Sequence, residues 1–305
     1  MYDVVILGGG PAGLTAALYT ARAGMKTLVL EKTMPGGQAA LTEWIENYPG
    51  FPQGISGPEL MQKFMEQATK VGAEFKTEEV TSVDFSGTVK KLTTNNGEIE
   101  ASTVIVATGA QARKLAVLGE EKFTGRGVSY CATCDGAFFK DKKVAVVGGG
   151  DSAVEEAIFL TKFASEVLLI HRRDELRATK ILQERAFKNP KIKLIFDTVV
   201  EEIKGESAVT HAILHNKKTE EKREEKLDGV FVFVGTVPNT EFLEGAIELT
   251  SLGYITTHSY LKTSVPGVFA AGDVRETYLR QVSTAVGDGA TAAMAAEHYL
   301  AELNG

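Results

Sequence analysis

The sequence predicts an α/β protein built from two copies of one strand–turn–helix unit, the second inserted into the first. Three observations carry this. A β-branched run from Tyr2 to Leu7 ends in Gly8-Gly9-Gly10-Pro11-Ala12-Gly13 and gives way to helix formers over Leu14 to Ala23. The same arrangement returns without a gap 140 residues later, where Val144 to Val147 precede Gly148-Gly149-Gly150-Asp151-Ser152-Ala153. Beyond the second unit lies one more apolar strand, Val268 to Ala271, which runs into Gly272-Asp273; an Ala-rich helix then reaches Leu303 despite Gly287 and Gly289. No third glycine turn exists for this tail to complete, so it returns to the first domain. The expected domains are 1-112 with 244-305, and 113-243 as the insertion.

Composition narrows the function. The chain of 305 residues is long enough for two cores, and 44% apolar with 24% charged residues reads as globular. A formal charge of -7 argues against a phosphate-binding basic face, so nucleic acid is not an expected partner. The first strand begins almost at Met1, leaving no room for a leader, and no apolar run approaches the roughly 18 residues of a membrane span. The expected location is the cytoplasm, with no membrane contact.

In the first unit, the spacing of Gly8, Gly10 and Gly13 is a dinucleotide fingerprint. Gly8 permits the tight turn, Gly10 lets backbone approach a pyrophosphate, and Gly13 lets helix pack close to strand. The helix opening at Pro11 and Ala12 turns its positive end to the phosphates. The second strand, Lys26 to Leu30, ends on Glu31, where a carboxylate accepts from free ribose hydroxyls. FAD or NAD meets that description.

The region between the units breaks into loops around Pro49 to Pro52 and Gly54 to Pro58. A helix is expected over Glu59 to Val71, then strands over Val80 to Phe85, Val89 to Thr93 and Glu98 to Ser102, with a turn at Asn95 to Gly97. Val104 to Ala107 reads as a separate buried strand that ends at Thr108-Gly109-Ala110. In the second unit Gly148 and Gly150 match Gly8 and Gly10, with Ala153 in place of Gly13. The offset carries Glu31 onto His171, followed by Arg172 and Arg173. Arginines at a strand end offer paired donors to a 2′-phosphate, which points to NADP(H). Arg177 joins them if the segment is helical; the competing reading is a solvated basic patch. A meander follows over Val199 to Ile203 and Val209 to His215, with a charged tip at Lys217 to Lys222, and leads into a buried strand from Val230 to Gly235.

The only two cysteines stand at Cys131 and Cys134, in Cys131-Ala132-Thr133-Cys134-Asp135-Gly136. Thiols this close can cycle between dithiol and disulfide, and metal binding or a structural staple are the alternatives. Zinc needs two more ligands. His211 and His215, four apart in a strand, lie about 13 Å from each other, too far for one ion.

Taken together, the two glycine turns, Ala107-Thr108-Gly109, the Cys131 to Gly136 motif, His171-Arg172-Arg173, Gly272-Asp273 and Arg280-Gln281 resemble the low-molecular-weight thioredoxin reductases among the pyridine nucleotide-disulfide oxidoreductases. The resemblance implies two Rossmann-like dinucleotide-binding domains of the three-layer ββα type, with the NADPH domain inserted into the FAD domain. It places FAD on Gly8, Gly10, Pro11, Ala12, Gly13, Glu31, Gly37, Gln38, Asn47, Ala107, Thr108, Gly109, Asp273, Arg280, Gln281 and Val282. It places NADPH on Gly148, Gly150, Asp151, Ser152, Ala153, His171, Arg172, Arg173 and Arg177.

The activity implied is a relay from NADPH through FAD to the Cys131–Cys134 disulfide and on to a thioredoxin or thioredoxin-like protein. Cys134 lies nearer the flavin, Cys131 attacks the partner, and Asp135 supplies a proton, unless it is only a turn acid before Gly136. Phe138 and Phe139 stand where relatives meet the partner, or in the core. A homodimer is implied, as is a rotation of the inserted domain about hinges near 110 to 116 and 240 to 247. Other readings keep the nucleotide sites but change the acceptor to a peroxide, a ferredoxin or a peroxiredoxin-type protein, or make the chain a flavin-binding redox sensor. The related alkyl hydroperoxide reductase flavoproteins carry an extra N-terminal disulfide domain, which a chain starting at its first strand is expected to lack.

Overall fold

Strand β1 (Tyr2–Leu7) is buried along Val4, Val5 and Ile6, as expected of a parallel strand covered on both faces. It turns at Gly8 into α1 (Pro11–Arg22), where Pro11 occupies a first-turn position that needs no N–H. In the computed structural model, which describes every residue except Glu43, Glu46 and Gly305, β2 (Thr27–Glu31) lies parallel to β1 with Val4 opposite Thr27. Two helices follow, α2 (Gly37–Ala40) and α3 (Gly57–Lys70); the Ser56 hydroxyl caps α3 by accepting from Glu59 N at 3.3 Å. Next come β3 (Glu74–Thr77), β4 (Val80–Asp84), β5 (Lys90–Thr94) and β6 (Gly97–Val106). The two strands expected over Glu98 to Ala107 are this one strand. Its polar first half pairs antiparallel with β5, Leu92 opposite Ile99, while its apolar second half pairs parallel with β1, Ile105 opposite Ile6. The change in composition marks a change of partner within one strand.

A short strand, β7 (Ala110–Ala112), leads into the inserted unit. That unit opens with α4 (Glu120–Phe123), β8 (Val128–Ser129) and α5 (Ala132–Asp135). The repeat follows as β9 (Lys143–Val147), α6 (Asp151–Leu160) and β10 (Glu166–Ile170), then α7 (Lys180–Lys188) and β11 (Ile192–Ile195). Val144 sits opposite Val167, the pairing of Val4 with Thr27 displaced by 140 at both positions. The meander is β12 (Thr198–Gly205), β13 (Val209–Asn216) and β14 (Lys222–Lys226), and β15 (Gly229–Val232) rejoins the parallel sheet beside β9. β14 has no strand signal in the sequence, because Lys-Arg-Glu-Glu-Lys has no apolar face. It is the outer strand beside β13, and a charged edge discourages further pairing.

The chain returns through β16 (Thr236–Pro238), which pairs with β7 in a two-stranded ribbon, to β17 (Val268–Ala270) and α8 (Val282–Asn304). The chain divides into two compact units, Met1–Gln111 with Val237–Gly305, and Ala112–Thr236. The segment 240 to 247, expected as a second hinge, falls inside the first unit, whose second stretch begins at Val237. Leu243 and Ile247 are apolar and buried with Val5, Leu92 and Val268, so they belong to the first unit's core.

Each unit has three layers. In the first, Val4, Ile6 and Ile105 face α1 and α8, while Val5, Leu7 and Val104 face the opposite core with Phe85 and Leu92. In the second, Val144, Val146 and Leu169 face α6, and Ala145, Leu168 and Ile170 face the meander's Val200, Ala212 and Leu214. This is the expected fold class, two Rossmann-like α/β units.

Candidate active site

Cys131 and Cys134 form a disulfide with Cα atoms 5.3 Å apart. Cys131 ends an extended stretch at the N-cap of α5, and Asp135 N donates to its carbonyl at 3.1 Å. The pair is anchored from beneath. Ala132 is fully buried against Ala153, Val154 and Ala157, and Phe139 meets Phe231 edge-on at 5.1 Å, while Phe138 is 51% exposed. Ser129 Oγ donates to Asp135 Oδ2 at 2.6 Å and accepts from Cys131 N at 3.1 Å. Just upstream, the Glu120 carboxylate is buried and accepts from Leu115 N, Ala116 N and Tyr130 OH at 2.7–2.9 Å. Burial, then the bond to Glu120, push the Tyr130 phenol up to about 12. On α6, burial and the neighbouring Glu155 push the Glu156 carboxyl up to about 7, and its Oε2 is buried without a hydrogen-bond partner.

In the first unit the glycine turn is pressed onto the end of β6. Gly8 has φ +104°, and a side chain there would enter the Ala107 carbonyl. Gly37 stands over Gly10, so the gap between α2 and α1 is walled by backbone. Pro11, Ala12 and Gly13 begin α1, and Gln38 is exposed on α2. Glu31 accepts from Gly9 N at 2.8 Å and from Thr33 N at 3.1 Å. Asn47 Nδ2 donates to Gln281 Oε1 at 3.0 Å, which joins two expected residues from opposite ends of the chain. Thr108 and Gly109 are clamped by Asn239, which donates from Nδ2 to Thr108 O at 2.7 Å and from N to Gly109 O at 3.0 Å.

Asp273 lies in the turn between β17 and α8. Burial pushes its carboxyl up to about 6; Arg280 opposes the rise and Asp288 adds to it. The Arg280 guanidinium sits 4.6 Å over the Tyr254 ring with Nε buried and unpartnered. Asp288 of α8 holds the turn by accepting from Gly272 N and from Arg275 Nε and Nη2 at 2.6–3.0 Å. Gln281 immediately precedes α8, which opens at Val282. A backbone-walled cradle, a desolvated carboxyl and an orphaned guanidinium nitrogen fit a ligand with phosphates and hydroxyls, as FAD has.

The second unit repeats the turn with different chemistry. A side chain at Gly148 would strike Phe233 O and Ala153, and one at Gly149 would strike the His171 ring, while the space over Gly150 is open. His171 is 5% exposed with Nε2 unpartnered; burial, then Arg177, Arg173 and Arg172, lower its proton affinity. Both effects favour the neutral form of the ring beneath the turn. Residues 172–177 are not helical. Arg177 reaches the cluster because its N–H and that of Ala178 donate to Gly149 O, leaving three exposed arginines around one buried ring. Asp151 Oδ1 accepts from Thr179 N at 2.6 Å, and Ser152 is exposed beside it. Three exposed guanidinium groups beside an open glycine turn fit a nucleotide carrying an extra phosphate.

Ser129, Glu120, Asn239, Arg275 and Asp288 were not legible as site residues. Asn239 reaches a partner 131 residues away, and the others act through turns that carry no motif.

The sequence profile of the pyridine nucleotide-disulphide oxidoreductases matches residues 2–289. A thioredoxin reductase of Peptoclostridium litorale is 50% identical over 309 residues, covering 99% of this chain and 98% of the relative. The crystal structure of thioredoxin reductase from Streptococcus pyogenes MGAS5005 superposes with a TM-score of 0.93 at 50% identity over 99% of both chains. The Lactococcus lactis thioredoxin reductase solved in its FR conformation gives 0.70 at 49% identity, over 99% of this chain and 100% of that one. The chain belongs to the pyridine nucleotide-disulphide oxidoreductase family.

Proposed function

We propose that the chain is an NADPH-dependent thioredoxin reductase, with FAD on the first unit, NADPH on the second, and Cys131–Cys134 as the redox pair. The observation that carries this is the half-identical match to thioredoxin reductases along the whole chain, in a fold that forms that disulfide ahead of the second glycine turn. When bound, the two cofactors supply the electron pair that opens the disulfide.

The chain's own residues do the rest. Gly8, Gly10 and Gly13 let backbone meet the FAD pyrophosphate, Glu31 accepts from ribose hydroxyls, and Asp273 and Arg280 bond the polar groups of the flavin side. Arg172, Arg173 and Arg177 grip the 2′-phosphate, and His171 shapes the turn beneath them. The Cys131 thiolate attacks the partner disulfide to form a mixed disulfide. Cys134 then attacks the Cys131 sulfur, which restores the internal disulfide and releases the partner as a dithiol. Asp135 supplies a proton to a thiolate released in the exchange.

The reading includes a rotation of the inserted unit, which would let the redox pair serve the flavin and the partner protein in turn. An engineered cross-link between the units is expected to stop turnover with thioredoxin. The reading extends to a homodimer in the cytoplasm, which sedimentation and cell fractionation test. Among the described residues no helix is long and apolar enough to cross a membrane.

The deciding experiment follows NADPH oxidation by the purified, FAD-loaded protein. Sustained oxidation that depends on oxidised thioredoxin supports the reading, and oxidation indifferent to thioredoxin overturns it.

A further inference from the structure

The exchange requires Asp135 to hold a proton at one stage and give it up at another. Its carboxylate leans on Ser129, which is 5% exposed on β8 and fixed there by the pairing of Ser129 with Phe231. Ser129 Oγ lies 2.6 Å from Asp135 Oδ2, 3.2 Å from the Cys131 carbonyl oxygen and 3.1 Å from the Cys131 N–H that donates to it. A serine hydroxyl has one proton and two lone pairs. With Asp135 ionised, the proton points at the carboxylate and a lone pair takes the Cys131 N–H. With Asp135 protonated, the Ser129 proton swings to the Cys131 carbonyl, and the second lone pair accepts from the acid. No heavy atom moves.

We propose that Ser129 is a positioning residue for proton transfer at the redox pair, a two-state hydroxyl that partners both forms of Asp135 and ties them to the Cys131 backbone. The inference rests on the reading of Asp135 as the proton donor. In the step itself the Asp135 O–H bond breaks, an S–H bond forms on the released thiolate, and the carboxylate left behind takes up the Ser129 proton as a hydrogen bond. Charge-assisted bonds are the stronger ones, so Ser129 favours the carboxylate and lowers its affinity for the proton. The other titratable groups on the elements packed against α5 are Asp151, Glu155 and Glu156 of α6. The turn Gly136–Phe139 and β8 carry none, and Tyr130 and the two cysteines adjoin the pair in the chain.

The test measures the single-turnover rate of the pre-reduced, FAD-loaded protein with oxidised thioredoxin, as a function of pH. The rate is expected to fall on the alkaline side as Asp135 loses its proton. Ser129→Ala moves that limb upward by about one pH unit, and Ser129→Thr, which keeps the hydroxyl, restores it. Asp135→Asn removes the limb and Glu156→Gln leaves it in place. An unshifted limb in Ser129→Ala, with the limb absent in Asp135→Asn, overturns the role of Ser129 alone. A limb that survives Asp135→Asn overturns the reading of Asp135 and the role of Ser129 with it.

Discussion

Burial pushes the Asp273 carboxyl from its ordinary 3.8 up to about 6. The folded protein then binds this proton more tightly than the unfolded chain, so stability falls as pH rises through that window and stays lower above it. The loss is roughly 2 to 3 kcal/mol. Asp273→Asn should therefore stabilise the cofactor-free protein at pH 8 and change it little at pH 4, as read by urea unfolding. The arginines give a second prediction. Arg172→Ala with Arg173→Ala should raise the KM for NADPH far more than for NADH, since each charge-assisted bond contributes about 1.5 to 3 kcal/mol. Equal losses for both cofactors would show that the arginines do not read the 2′-phosphate. The glycines, Glu31, the cysteines and the arginines were legible because their chemistry is written in local spacing. Asn239 was not, because its partner Thr108 lies 131 residues away and nothing in either segment names the other.

At the scale of elements, α8 carries two glycines with opposite meanings. Gly289 faces α1 so closely that a side chain would enter the Ala12 carbonyl, whereas Gly287 has nothing within 4 Å. Gly289→Ala is expected to cost about 1 to 3 kcal/mol through forced separation of the helices. Gly287→Ala should gain roughly 0.5 to 1 kcal/mol from helix propensity. Thermal unfolding of the two variants separates the effects. The sequence suggested a helix through both glycines but could not say which one the packing required. The strands show the same limit: the change of composition midway through β6 reads as two strands, and β14, a charged outer strand, lacks the alternation that marks a buried face.

At the scale of the whole molecule, the 140-residue offset was visible in the sequence because both units use the same turn, and the strand registers repeat it residue for residue. The point of return was less visible, since Leu243 and Ile247 look alike in any apolar core. Cys134→Ser should leave reduction of bound flavin by NADPH intact while abolishing reduction of thioredoxin, which stopped-flow absorbance and a coupled assay distinguish. The ribbon of β7 and β16 brings Ala110–Ala112 beside Thr236–Pro238, so the chain leaves the first unit and re-enters it at neighbouring points. In genetic terms the second unit is a cassette. Its coding segment can be lifted out between Gln111 and Val237 and the gap closed by a short bridge, leaving two genes where there was one. Each product should fold, the excised piece keeping its internal disulfide by mass spectrometry and the closed remainder retaining FAD on gel filtration.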